Sequence, residues 1–589
     1  MSTAAARTVP LTAGTAPSGA LLHHRALGPD DTGIVHLGLG NFHRAHQAVY
    51  TAAALAHQEG PWGVLGVAGR STAVADALRA QDLRYTVAEV SPDGLRCTIP
   101  GVHTGALVAA REPERVQRAL AAAGTRVISL TVTEHGYTYS PRTGGLDLDH
   151  PGVRSDLGGN RTAPHTALGR IVRALQQRAT THGAPVTVLS CDNLVGNGNH
   201  TRRLVEEFIA GLPAGERDEL TAWIGAGNVT FPNTMVDRIV PATTDGDRAA
   251  VADATGVRDE VPVPAEPFTM WVLDDRFAAS RPAWEAGGAL FADDVEPYEL
   301  LKVRLLNGTH SLIAYLGALD GCDTIPEATA RPFVAEAARS VLWREYLPSL
   351  TVPDGVDLGT YVDRLFTRWT NSALGHRTRQ VGSDGSAKLR QRIPEPALLH
   401  LRAGRMPHHL ALTLAAYLCC LAPRAGFDPG EHAAAMTDPA RERLGTLRAR
   451  TTDGPSFAAA VLDDGLLGDE LAHHPHFATR AGELIDLIHT HGPRTAAAEA
   501  PKRQLPPERR ARAGPTLPRA PHRPKDVGLR SPGAVGVQMS HFPASFGARY
   551  RYAGVTLMGA ISLIAVRLSP ETVGRKPTDP SDATAPTQP

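Results

Sequence analysis

Residues 33–56 read GIVHLGLGNFHRAHQAVYTAAALA. A short β-branched run, a glycine-bearing turn and an Ala-rich helical pattern follow one another directly. Glycines at such a turn let the backbone approach a pyrophosphate, while the next helix offers free N–H groups and the positive end of its dipole. Gly38, Leu39, Gly40, Asn41 and Phe42 are therefore the candidate cofactor-binding turn. The third glycine of the usual fingerprint is missing and His43 stands in its place, so the motif depends on its strand–turn–helix context. His43 and His46 have a two-residue spacer without a carboxylate or thiol cluster. That favours a structural or phosphate-facing role over a metal site.

Outward from this unit, the runs 63–68 (GVLGVA), 126–133 (RVISLTVT) and 185–190 (PVTVLS) are short, continuous and rich in Val, Ile and Leu, as buried strands are. Helical patterns such as 166–179 lie between them. Strands alternating with helices imply a mainly parallel sheet covered on both faces, an α/β doubly wound Rossmann-type domain. From about residue 293 the texture changes. Segments 298–316, 333–347, 358–370, 408–421 and 477–489 carry helical periodicity, which predicts a mostly α-helical second domain. The expected organisation is a loose arm over 1–29, a dinucleotide-binding domain over 30–292, a helical substrate and catalytic domain over 293–494, and a tail over 495–589. Residues 501–589 hold 14 prolines and 14 Lys+Arg against five Asp+Glu. Proline at that density excludes helix and sheet interiors, so this basic tail is read as disordered, with 552–566 as its one candidate element.

Composition narrows the function. The 589 residues are 42% hydrophobic with a formal charge of zero, enough apolar content for buried cores and no global charge for nucleic acid or an anionic membrane. Five scattered cysteines lack metal-ligand spacing, so neither a disulfide framework nor a zinc cage is indicated and no metal is expected. The N-terminus has no basic head followed by an apolar run, and 552–566 is shorter than the roughly 17–25 residues of a membrane span. A cytoplasmic protein with a small-molecule partner is expected, without a nucleic-acid or membrane partner; a monomer is compatible with the chain.

Lysine is scarce: only five of the 60 basic residues are lysines, and only Lys302 and Lys388 precede residue 502. Arginine stays charged in proteins, whereas a desolvated lysine can become a neutral amine near pH 7. Lys302 opens the run KVRLLNGTH. At roughly 100° per residue, positions 302, 307 and 310 fall near 0°, 140° and 80° of a helix. A lysine base, the amide of Asn307 and the imidazole of His310 on one side suit alcohol oxidation. Glu299 lies one turn earlier, where it would pass protons to solvent; a plain Glu299–Lys302 helix pair is the structural alternative. At the end of the second strand, Gly69-Arg70-Ser71-Thr72 replaces the usual acid. An arginine and hydroxyls there would tolerate a 2′-phosphate, which leaves NAD against NADP open.

The stretches IVHLGLGNFHRAHQAVY (34–50), VISLTVTEHGY (127–137), VLSCDNLVGNG (188–198), FPNTMVDRIVP (231–241), EPFTMWVLDDRF (266–277) and KVRLLNGTH (302–310) resemble the mannitol dehydrogenase family of polyol-specific long-chain dehydrogenases. The resemblance implies a zinc-independent oxidoreductase that uses NAD, with NADP as the alternative, in a cleft between two domains. It implies Lys302 as general base, Asn197 and Asn307 as oxyanion pair, His310 as substrate ligand and Glu299 on the proton path. It also implies Asp237 on the polyol chain, Val236 and Arg70 toward the cofactor, and Lys388 on the substrate. Gln380 stands where the mannitol 2-dehydrogenase branch has an arginine, and KVRLLNG with HRTRQ is more similar to the fructuronate reductases. On that branch Arg304, Arg377 or Lys388 would meet the carboxylate of D-mannonate or D-fructuronate. The alternatives are a mannitol/fructose or mannitol 1-phosphate/fructose 6-phosphate dehydrogenase, and a catalytically inactive binding protein.

Overall fold

The computed structural model describes residues 8–502, apart from 16, 19, 23–26, 141–142, 160 and 354. The tail from 503 onward, including 552–566, lies outside the described residues.

β1 (Thr32–Leu37) leads through the turn at 38–40 into α1 (Asn41–Ala45) and α2 (Gln47–His57). β2 (Gly63–Ala68), β3 (His103–Val108), β4 (Val127–Leu130), β5 (Val186–Ser190) and β6 (Val229–Thr230) complete one sheet in the order β3-β2-β1-β4-β5-β6. Every neighbouring pair is parallel. This is the doubly wound order, with its crevice at the C-terminal ends of β1 and β4 where the winding reverses. Val35, Leu37, Ile128, Leu130, Val186 and Val188 are all buried, which is why these strands read as unbroken apolar runs.

The run expected as a strand over 126–133 ends at Leu130. Beyond it the carboxylate of Asp192 accepts from the backbone N–H groups of Val132 and Thr133 at 3.1 and 3.0 Å. The chain turns there, with Thr133 at φ +64°, an uncommon conformation for a β-branched residue. Part of the segment expected as a loose arm is also held. Val9–Pro10 pairs with Val257–Arg258, Ala20–Leu22 pairs with Cys97–Ile99, and Leu11 is buried against Ile99 and Val257. Unpaired strand edges supply the backbone partners, an interaction without a local sequence signal. A smaller sheet of β7 (Thr234–Asp237), β8 (Met270–Asp274) and β9 (Leu290–Ala292) brings the chain back to the crevice.

The helical lobe begins with α3 (Glu296–Leu301), runs through a π-wound segment at Lys302–Gly308 and continues as α4 (Thr309–Leu319). It goes on to α5 (Leu358–Trp369), α6 (Gly385–Arg392), α7 (His408–Leu421) and α8 (Pro475–Glu499). Every residue of α7 after His408 is buried; a helix apolar on all sides forms the middle of a lobe. α8 kinks at Gly492, beside Pro493, yet continues to Glu499 and buries Ala496 and Ala497. The helical lobe therefore extends past 494.

Candidate active site

The π-winding decides which side chains meet. In an α-helix Lys302 and Asn307 would be about 140° apart, whereas i→i+5 bonding stacks residues five apart nearly over one another. Both line the same two cavities, and His310 lines the larger. Gly308 within the segment lies against Tyr346, whose ring atoms would stand 2.4 Å from a Cβ at that position. The smaller cavity, about 150 Å³, is walled by Glu299, Val303, Lys388, Gln391 and Arg392. The larger, about 690 Å³, includes Gly40, Asn41, Phe42, Thr131, Thr133, Asp237 and Arg368. Lys302, Asn307, Asn193 and Val236 belong to both.

Lys302 is 8% exposed. Its Nζ donates to Asn193 Oδ1 at 2.6 Å and to the Val236 carbonyl at 2.5 Å. Burial lowers its pKa, against the carboxylate of Asp237 and with the help of Arg368. A neutral amine has two N–H bonds and one lone pair. The two acceptors use both N–H bonds and leave the lone pair as the remaining function.

Asn193, not Asn197, is the amide beside the lysine. Asn197 is fully buried and committed to the backbone: its Nδ2 donates to the carbonyls of Asp192 and Thr234, and its Oδ1 accepts from Thr234 N. It ties the loop after β5 to β7 and lines neither cavity. The two asparagines lie four residues apart in CDNLVGNG, and only the loop's path separates their roles.

Both oxygens of Glu299 accept from Gly196 N, at 3.0 and 3.1 Å. Burial pushes its pKa up to about 7 from the ordinary 4.5. The folded value lies above the unfolded one, so the folded chain holds an extra proton between those values. Its contribution favours folding below pH 4.5 and is lost as pH rises through 7. Glu299→Gln removes this dependence. The difference in melting temperature, variant minus parent, should grow from pH 4.5 to pH 8 in thermal unfolding; a constant difference would contradict the raised value.

The turn fits a dinucleotide. Gly38 has φ +114°, and a Cβ there would lie 2.1 Å from the Thr131 carbonyl oxygen, so glycine is what lets β1 turn against β4. Gly40 caps α1 with no side-chain bond and faces the larger cavity. A Cβ on Gly40 would meet only the Gly38 oxygen, at 3.8 Å. Asn41, Phe42 and Val236 line the cavity with it. Leu39 instead packs inward with Tyr85 and Val108. His43 is not phosphate-facing: it is buried behind the turn, stacked on His36 at 3.6 Å between ring centroids, and burial holds it neutral. His46 donates to the Met270 carbonyl. Arg70 is exposed beyond β2 and lines neither cavity.

Three expected substrate residues lie elsewhere. Arg304 is buried on the π segment but bonds Glu395 and the Ser349 carbonyl. Two residues from Lys302, it points to another side of the helix. Arg377 is exposed and pairs with Asp323 at 2.6 Å, and Gln380 is exposed on the following turn. Lys388 does reach the smaller cavity, its Nζ donating to the carbonyls of Ser383 and Val381 at 2.7 and 3.2 Å. Arg392, one turn on, had no role assigned to it from the sequence; it donates to the Asn307 carbonyl and to Ser311 Oγ. Among the described residues, His310 Nε2 is buried without a hydrogen-bond partner, and burial holds its pKa well below the usual value. Among the described residues no group of three or more His, Cys, Asp or Glu is placed to hold a metal, and no helix is long and apolar enough to cross a membrane.

A doubly wound nucleotide-binding lobe, a helical lobe and a buried lysine at their junction define a two-lobed, Rossmann-based class of protein. The mannitol dehydrogenase Rossmann domain matches residues 32–286 and the mannitol dehydrogenase C-terminal domain matches 294–483. The chain belongs to the mannitol dehydrogenase family and is an oxidoreductase. It is 38% identical to D-mannonate oxidoreductase of Escherichia coli over 79% of its own length and 95% of that protein's. It is 40% identical to mannitol 2-dehydrogenase of Cereibacter sphaeroides over 66% and 80% of the two chains. The structure of Pseudomonas fluorescens mannitol 2-dehydrogenase in a ternary complex with NAD and D-mannitol matches 82% of this chain and 97% of that one, at TM-score 0.71 and 32% identity.

Proposed function

We propose that the protein is an NAD-dependent, zinc-independent secondary-alcohol dehydrogenase that interconverts D-mannonate and D-fructuronate. The observation that carries this reading is the Lys302 amine, buried where the cavity of the glycine turn meets the smaller cavity that holds Lys388 and Arg392, with two acceptors for its N–H bonds. The similarity to D-mannonate oxidoreductase over nearly that protein's whole length supports the substrate.

The glycine turn would hold the pyrophosphate of a nicotinamide dinucleotide, which would supply the hydride acceptor. Lys302 takes the hydroxyl proton of the alcohol on its lone pair. Asn193 Nδ2 and the Asn307 amide donate to the substrate oxygen as negative charge develops on it. His310 is held neutral and, through Nε2, orients the same hydroxyl. Glu299, in equilibrium near pH 7, passes the proton from Lys302 toward solvent. The substrate carboxylate belongs in the smaller cavity, where Lys388 and Arg392 can meet it.

One assay tests the reading by following NADH and NADPH consumption with D-fructuronate and D-fructose. The expected kcat/KM is at least about tenfold higher for D-fructuronate, the equivalent of one charged hydrogen bond at roughly 1.5 kcal/mol. The reverse order assigns the mannitol/fructose reaction. Arg70, exposed beyond β2 where the usual acid is missing, would tolerate a 2′-phosphate and predicts measurable turnover with NADPH as well as NADH; strict exclusion of NADPH would argue against that role.

A further inference from the structure

The cation that links the two lobes is Arg368, near the C-terminal end of α5. Its Nη1 and Nη2 donate to the two oxygens of Asp237, each at 2.8 Å, while Nε and Nη2 donate to the two oxygens of Glu266 at 2.9 and 2.8 Å. The guanidinium lies over the ring of Phe268, 4.3 Å from its centroid. Arg368, Asp237 and Glu266 are 5%, 4% and 1% exposed. The helical lobe thus contributes one planar fork that serves two buried carboxylates of the Rossmann lobe. Asp237 and Arg368 share the wall of the larger cavity with Lys302 and His310.

We infer that Arg368 is a positioning residue: by clasping Asp237 and Glu266 across the lobes, it fixes the charge that faces Lys302 and holds together the two walls between which Lys302 works. Two bidentate carboxylates on one guanidinium are a geometry that only arginine provides, because a lysine ammonium is a point donor on a flexible stem. Without the fork, two buried carboxylates would face one another uncompensated.

Asp192, on the loop after β5, and Lys388, on α6, line the smaller cavity with Lys302, and the charges that act on it most come from four further side chains. Asp237 from β7 and Glu299 from α3 favour the ammonium, whereas Arg368 from α5 and Arg392 from α6 favour the free amine. His46, between α1 and α2, also senses Lys302 and is held neutral by burial. The sign of each perturbation follows. Weakening the fork leaves Asp237 less neutralised, which stabilises the ammonium and moves the titration of Lys302 to higher pH. Removing the Glu266 charge leaves the guanidinium to Asp237 alone and moves it to lower pH. The catalytic meaning rests on the proposed role of Lys302 as base; the electrostatic effect does not.

The scarcity of lysine makes the test direct. Protein labelled with [13C]lysine gives five side-chain signals, and the one lost in Lys302→Ala assigns the site. In a pH titration followed by NMR, Arg368→Lys should move the Lys302 midpoint up by about one pH unit, the lower end for a displaced neighbouring charge. Glu266→Gln should move it down. Unchanged midpoints in both variants, or shifts of reversed sign, overturn the inference. If Arg368→Lys does not fold, Glu266→Gln decides alone, a downward shift supporting the inference and none overturning it. The pH profile of D-mannonate oxidation should move with the NMR midpoint. A parent that does not turn over D-mannonate defeats the proposed substrate and leaves the titration readable.

Discussion

Lys302→Ala should lower kcat about a thousandfold or more while leaving the dissociation constant for the cofactor within about twofold, since a positioned general base contributes roughly 100- to 10,000-fold. The split follows from where the lysine is anchored. Its Nζ holds Asn193 and the Val236 carbonyl, whereas the glycine turn is shaped by the close approach of Gly38 to the Thr131 backbone. Single-turnover kinetics and a fluorescence titration with NADH separate the two quantities. Truncation also opens space beside Asn193, so a small primary amine should restore part of the rate with its own pH dependence. Near-parental kcat across pH 6–10 would refute the base assignment.

Gly38→Ala should lose cofactor binding by more than about a hundredfold and lower the melting temperature of the free protein. The added Cβ would lie 2.1 Å from the Thr131 carbonyl oxygen and 2.7 Å from its carbon. These are backbone atoms, which cannot swing away as a flexible side chain would. The φ of +114° adds strain, with a typical cost of about 1–3 kcal/mol. Gly40→Ala is the matched control. Its φ of −104° suits any residue, and its Cβ would meet only the Gly38 oxygen at 3.8 Å. It should leave the melting temperature unchanged and weaken only the cofactor. Equal melting temperatures for both variants would show that β1 does not need the close approach to β4.

Much of this arrangement was legible in the chain. The strands over 63–68 and 185–190 lie within a residue of their expected bounds, and the helix over 408–421 coincides with its apolar run. These segments are set by side-chain periodicity and burial on all sides, which local composition reports. The run over 126–133 is continuous and rich in Val, Ile and Leu, which predicts a longer strand than the one that ends at Leu130. Asp192, some 60 residues on, takes the backbone donors of Val132 and Thr133, and a distant carboxylate leaves no trace in a local pattern. The same limit explains the arginines. Arg304 and Arg377 stood near motif residues, yet their partners are Glu395 and Asp323; Arg368 and Arg392, which had no role assigned from the sequence, line the cavities.

The sequence by itself determined the α/β class, the turn that only glycine permits at 38, and the Lys-Asn-His spacing, because each depends on residues close in the chain. The two lysines before residue 502 both line the smaller cavity. Tertiary structure decided the rest. It wound 302–308 as a π-helix, set Asn193 rather than Asn197 beside Lys302, and closed Arg368 over two carboxylates of the opposite lobe. The reason is that spacing determines which residues share a helix face, while the direction of a buried polar side chain is set by whichever donor or acceptor the fold places within about 3 Å of it.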